Sequence, residues 1–154
     1  MQALRERGLD DALRTAVLVE GKALLGICLG MQLLATRSFE GGLEEGLGLI
    51  PGEVRRLDTL GCTLRIPHVG WNEVRLRSDD PLFEGIPDGS DFYFVHSYGF
   101  VPDGADRVLA VSPYGCEVTA VVRNGNIYGC QFHPEKSSRA GRLLLKNFMS
   151  QVLC

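Results

Sequence analysis

The apolar positions of the chain fall into successive rhythms. After Asp10 they recur at Leu13, Ala16 and Val17, the i, i+3, i+4 stripe of a helix that buries one side. Asp10 is placed to cap that helix and Gly21 to end it, while Met1 to Arg7 reads as the tail of an earlier helix closed by Gly8. Ala23-Leu24-Leu25-Gly26-Ile27 shows no alternation. A short continuous apolar run of this kind predicts a strand covered on both faces in a parallel sheet. Helical periodicity resumes from Met31 to Thr36. Helix, covered strand, sharp turn and helix is the order of an open α/β sheet.

The middle of the chain alternates instead. Glu53-Val54-Arg55-Arg56-Leu57 and Asn72-Glu73-Val74-Arg75-Leu76 read as half-buried antiparallel strands, and Asp91 to Tyr98 as a long aromatic one. Glu117 to Arg123 is predicted to meet Asn126 to Phe132 across a tight turn at Asn124-Gly125. Ser137 or Ser138 caps a last helix with Leu144, Leu145, Phe148 and Val152 inward. These elements form one mixed α/β domain over residues 1–154 without an internal linker. One covered strand before the first candidate site is too few for a doubly wound sheet, so the chain is expected to lack its first strands.

Composition narrows the function classes. The chain has 154 residues, 45% of them hydrophobic, with 16 Lys+Arg against 19 Asp+Glu. A domain of this size buries roughly 68–70% of its unfolded surface and needs no disulfide or structural metal to form a core. The five cysteines are odd in number and show no C-x-x-C pair, which argues for free thiols in a reducing cytoplasm. No apolar stretch approaches the roughly 20 residues that span a bilayer. A formal net charge of -3 without a Lys/Arg cluster excludes the electrostatic footprint of a nucleic-acid binder.

Two segments carry chemistry. Gly26-Ile27-Cys28-Leu29-Gly30 lies where the covered strand passes into a helix and has the form of a nucleophile elbow with Cys for Ser. Such a turn pushes the sulfur out at the carboxyl end of the sheet, and the helix start behind it favours thiolate and offers backbone N–H groups to an oxyanion. The plain alternative is a core cysteine beside two incidental glycines. In His133-Pro134-Glu135, Pro134 biases His133 toward extended backbone, where residues i and i+2 share a side. Glu135 can then hold one ring nitrogen while the other works on a thiol. Alone this is a surface turn; paired with a cysteine elbow it reads as a base with its orienter. His68 and His96 have no histidine partner at helical spacing, so a metal site is not expected, and His96 reads as a hydrogen-bonded structural residue. Cys130 reads as strand packing, Cys62, Cys116 and Cys154 show no partner for activation, and Trp71 and Phe92-Tyr93-Phe94 read as core by default.

Gly26-Ile27-Cys28-Leu29-Gly30-Met31-Gln32-Leu33-Leu34 and Gln131-Phe132-His133-Pro134-Glu135-Lys136-Ser137 resemble the class I (triad) glutamine amidotransferases. Gly46 to Gly52, Pro67 to Asn72 and Phe92 to Tyr98 resemble the branch that serves as glutaminase subunits of imidazole glycerol phosphate synthase. The resemblance implies a flavodoxin-like, mostly parallel sheet with an antiparallel extension. It implies glutamine hydrolysis with Cys28 as nucleophile, His133 as base and acid, and Glu135 as orienter. Gln32, Ser97 and Tyr98 become glutamine contacts and the Leu29 backbone N–H an oxyanion donor. Lys136, Tyr93 and Trp71 become interface residues toward a separate (β/α)8-barrel cyclase, forming a heterodimer for histidine biosynthesis. No cofactor or metal is implied. Family members have further strands ending in Pro-Gly-x-Gly, which supplies a second oxyanion donor, and no such segment precedes Cys28 here. The alternatives are a glutaminase for pyridoxal phosphate or anthranilate synthesis, and a non-catalytic binding subunit.

Overall fold

The computed structural model describes residues 1–152; Cys154 and the Val152 side chain lie outside what is described. Two short helices, α1 (Gln2–Arg5) and α2 (Leu9–Arg14), the second continued by a wider turn over Thr15–Val19, lead into strand β1 (Leu24–Ile27) and helix α3 (Leu29–Leu33). Short strands β2 (Arg37–Ser38), β3 (Glu44–Glu45) and β4 (Gly52–Arg56) follow, then β5 (His68–Leu76), β6 (Ser90–His96), β7 (Tyr98–Pro102), β8 (Val108–Pro113), β9 (Glu117–Asn124) and β10 (Ile127–Cys130). Helix α4 (Ser138–Asn147) closes the chain.

The strands form a six-stranded sheet, β1-β10-β9-β8-β5-β6, and a four-stranded one, β3-β2-β4-β7. In the large sheet β1 and β10 run parallel and every other described pair is antiparallel. The fold is α/β as expected, but the sheet is mixed, with an antiparallel part larger than the parallel one. β1 is an edge strand with β10 as its neighbour, so it is half-buried rather than covered throughout.

The large sheet separates two cores. Leu25 and Ile27 of β1, with Tyr128 and Cys130 of β10, face a cluster built on Phe92, Phe94, Phe132 and Leu144. Leu24 and Ile127 point the other way, toward Val17, Met31, Ile50 and Phe100. The alternation of side chains along paired strands produces this split, because Leu24 sits opposite Ile127 and Leu25 opposite Tyr128.

Several expected details differ. The cap position of α2 is Gly8, and Asp10 lies inside the first turn, where its charge still suits the helix start. α3 begins immediately after Cys28, two residues before the apolar rhythm announced it, and ends at Leu33. The β9–β10 turn is Gly125-Asn126, one residue later than predicted, because Asn124 pairs with Ile127. Ser137 does occupy the cap position of α4, but its hydroxyl makes no cap bond. It donates to His133 O at 2.6 Å and accepts from Tyr93 N at 2.9 Å instead. Leu143 rather than Leu145 accompanies Leu144 and Phe148 against the core.

The cysteine reading also changes. Cys62 and Cys116 are bonded to one another, with Cα atoms 4.5 Å apart. They are 54 residues apart in sequence, and the fold brings the loop after residue 60 against the β8–β9 turn. Cys28 and Cys130 are the free cysteines among the described residues. Among the described residues no helix is long and apolar enough to cross a membrane.

Candidate active site

The site grows from the carboxyl ends of the parallel pair. Cys28 N donates to Cys130 O at 2.8 Å, carrying the β1–β10 ladder one residue past β1. At Cys28 the backbone then turns sharply, with φ 50° and ψ -108°, and α3 starts at once. A side chain in this conformation is strained, and the surroundings must hold it. Gly26 is part of that hold: a Cβ there would meet Gly30 O at 2.6 Å and Met31 N at 2.8 Å. Gly30 is different, because a Cβ at that position meets open space. Only the first glycine of the elbow is required by close approach.

Cys28 is half-buried. Burial pushes its thiol above the ordinary value, and the bond from the Leu29 backbone N–H is the largest opposing influence. The Glu135 carboxylate raises it further, whereas the Gln131 side chain and the Lys136 charge lower it. The sulfur lies 3.8 Å from Val95 O and 3.8 Å from Gln131 Nε2. Sequence reasoning expected the helix start to favour thiolate. α3 is only five residues long, and burial is the larger influence, so the thiol is raised rather than lowered.

His133 follows β10 with extended backbone, φ -99° and ψ 96°, as the following proline demands. Its Nδ1 lies 2.7 Å from Glu135 Oε1. His133 N donates to Tyr93 O at 2.8 Å and Lys136 N to His133 O at 3.0 Å. The expected His133-Glu135 pair therefore forms, one strand over from the Cys28 turn.

Gln32 is buried, and its Nε2 donates to Tyr98 O at 2.9 Å and to Gln131 Oε1 at 3.0 Å. Ser97 lies where the chain leaves the large sheet for the small one, and its carbonyl accepts from Leu57 N at 3.0 Å. Tyr98 opens β7 opposite Arg56. Beside Leu29 and Gln32 a depression of about 140 Å³ is also lined by Ser38, Glu40, Glu44 and Glu45. Trp71 is 53% exposed rather than core. It sits opposite Tyr93 across β5 and β6, with ring centroids 6.0 Å apart, and Lys136 Nζ lies 5.9 Å from the Tyr93 ring centre. The three residues expected at an interface form one cluster.

The model of the family described as glutamine amidotransferase class-I matches residues 6–152. The chain belongs to the class I glutamine amidotransferases. Within this family it is 51% identical over 148 residues to "Imidazole glycerol phosphate synthase subunit HisH" of Moorella thermoacetica, covering 96% of this chain and 69% of that protein. It is 50% identical over 155 residues to the protein of the same name from a Geobacillus strain, covering 99% of this chain and 72% of that one. A crystal structure of a glutamine amidotransferase superposes with a TM-score of 0.68 at 24% identity, over 96% of this chain and 72% of that one. A Thermotoga maritima glutamine amidotransferase gives 0.60 at 23% identity, over 96% and 54%. These two likenesses bear on the fold.

Gln131 and the acidic depression escaped the sequence reading of this amidotransferase. Gln131 was legible in principle: continuing the alternation of β10 puts it on the side of Gly129, which faces Met31 of α3. The depression depends on the loop between β2 and β3 folding back on α3, which no local pattern announces.

Proposed function

We propose that the chain is the glutaminase subunit of an imidazole glycerol phosphate synthase, hydrolysing glutamine to glutamate and ammonia. The observation that carries the mechanism is the juxtaposition of the strained Cys28 turn and the 2.7 Å His133–Glu135 pair at the carboxyl ends of neighbouring parallel strands. Glu135 takes Nδ1 of His133 and leaves Nε2 to exchange protons. The thiol proton passes to His133 as sulfur attacks the side-chain amide carbon, and His133 returns it to the departing ammonia. Water then hydrolyses the thioester with His133 as base. The Leu29 N–H, already directed to the sulfur, is the oxyanion donor from the elbow side. The acidic depression beside Gln32 suits the α-ammonium group of the substrate, and Ser97 and Tyr98 complete its contacts.

The partner is a cyclase with a (β/α)8 barrel, docked as a heterodimer in the cytoplasm on the face carrying Trp71, Tyr93 and Lys136. Val69 and Val95, exposed and paired across β5 and β6, extend that face, and the apolar area without cover supports a protein surface there. The ammonia-consuming chemistry makes the whole synthase a lyase. Residues 1–154 belong to one amidotransferase domain.

The test is glutamate and ammonia release with and without the histidine-pathway cyclase. Release that rises on adding this cyclase and vanishes in Cys28→Ala supports the reading. Cyclase binding without glutamine hydrolysis identifies a binding subunit, and stimulation by a different synthase reassigns the branch.

A further inference from the structure

A continuous set of hydrogen bonds with one possible polarity runs from β5 to the Cys28 sulfur. Backbone carbonyls, which only accept, anchor it. Asn72 Nδ2 donates to Pro113 O at 2.8 Å and faces His68 Nε2 at 3.3 Å, while Asn72 Oδ1 accepts from Glu73 N at 3.0 Å. At the other end His96 Nδ1 lies 2.8 Å from Tyr98 O, so that nitrogen carries a proton. Burial holds both rings neutral, their values lowered to about 4. His96 Nε2 is then a bare acceptor, and its 3.0 Å contact with His68 Nδ1 is a donation by His68. Tyr98 O accepts a second bond from Gln32 Nε2, whose other hydrogen goes to Gln131 Oε1. That bond turns Gln131 Nε2 toward Cys28 Sγ, 3.8 Å away. Gln131 is fully buried, so water does not compete for it.

We propose that Gln131 is a catalytic donor to the Cys28 sulfur, held with its N–H groups forward by Gln32 and the Tyr98 carbonyl, and that His68 and His96 position that carbonyl. The inference rests on Cys28 as the reacting thiol and deepens that reading. The resting thiol has Val95 O within reach as an acceptor, and that contact has no value once the proton leaves. The Leu29 and Gln131 N–H groups then favour the anion. A Gln131 amide turned over would place an oxygen against sulfur, and the Gln32 bond forbids it. The charged or titratable groups around the sulfur are Glu135, Lys136 and Cys130, with His133, its proposed base, held by Glu135. The rings face each other, with Phe94 and Tyr114 stacked on His68.

The test is the pH midpoint of iodoacetamide alkylation of the intact chain, followed at the Cys28 peptide by mass spectrometry. Turnover is not needed, so hydrolysis that survives Cys28→Ser would sink the functional reading while a shifted midpoint would still report the donor. Gln131→Met keeps the length and drops the donor; the midpoint is expected to rise by about one unit. His96→Asn keeps an N–H near Nδ1 and is expected to match wild type. His96→Gln loses it and is expected to raise the midpoint, with no further rise when combined with Gln131→Met. Protection of buried Cys130 in the same digest reports that each variant is folded. Should Gln131→Met expose Cys130, Gln32→Met takes its place with the same expected rise. An unchanged midpoint in Gln131→Met, or in Gln32→Met where it takes its place, overturns the donor, and equal rises in His96→Asn and His96→Gln, or additivity in the double variant, overturn the positioning role.

Discussion

Cys28 combines strain, partial burial and a thiol pushed above its usual range, so its reactivity must come from groups engaged during the reaction. Glu135→Gln keeps the size of the side chain but removes the charge that stabilises a protonated His133. Turnover is expected to fall about 10²-fold with the fold intact, against complete loss in Cys28→Ala; equal rates for Glu135→Gln and wild type would remove Glu135 from the triad. The buried ring pair makes a separate prediction about stability. Both rings titrate at about 4 in the fold and near 6.5 when free. Between these values the unfolded chain binds more protons, so stability is fully present above pH 6.5 and is lost as pH falls toward 4. Urea midpoints at several pH values should decline across that window by an amount worth a few kcal/mol. A flat profile would mean the rings are not held neutral by burial.

Among the elements, α4 does more than cover the sheet. A Cβ on Gly141 would meet Pro134 O at 2.0 Å, so the helix lies directly against the His133–Glu135 turn. Gly141→Ala must push the two apart. Glutamine turnover and the thermal midpoint are both expected to fall, whereas Arg142→Ala, one position on and exposed, should change stability by less than about 0.5 kcal/mol. What the sequence disclosed follows the range of the interactions. The elbow, the His133-Pro134-Glu135 turn, β4, β5, β6 and the β9–β10 hairpin rest on local pattern and were legible. The Cys62–Cys116 bond, the inward bond of the Ser137 hydroxyl to Tyr93, and the Asn72–Pro113, His68–His96 and Gln32–Gln131 bonds join segments distant in sequence, and nothing in a local window encodes them. Gly30 is the converse case, since it belongs to the elbow motif and yet no close approach requires a glycine there.

Taken as a whole molecule, the mixed sheet places the Cys28 sulfur close to the proposed docking face. Val95 serves both: its carbonyl faces the Cys28 sulfur, and its side chain is exposed beside Val69 on the face shared with Trp71. A partner bound on that face would therefore sit one residue's thickness from the nucleophile. Trp71→Ala removes an exposed ring and should leave the free chain's stability nearly unchanged, yet weaken cyclase binding by about 2 kcal/mol if the ring anchors the interface; calorimetric titration reads this directly. The proposed function turns on Cys28 as the nucleophile of a glutamine site. The most direct measurement is to treat the chain with a glutamine-like electrophile and map the adduct by mass spectrometry, with and without excess glutamine. Modification of Cys28, suppressed by glutamine, with Cys130 untouched, is expected. Modification of Cys130 while Cys28 stays free, or labelling of Cys28 that glutamine does not slow, would contradict it.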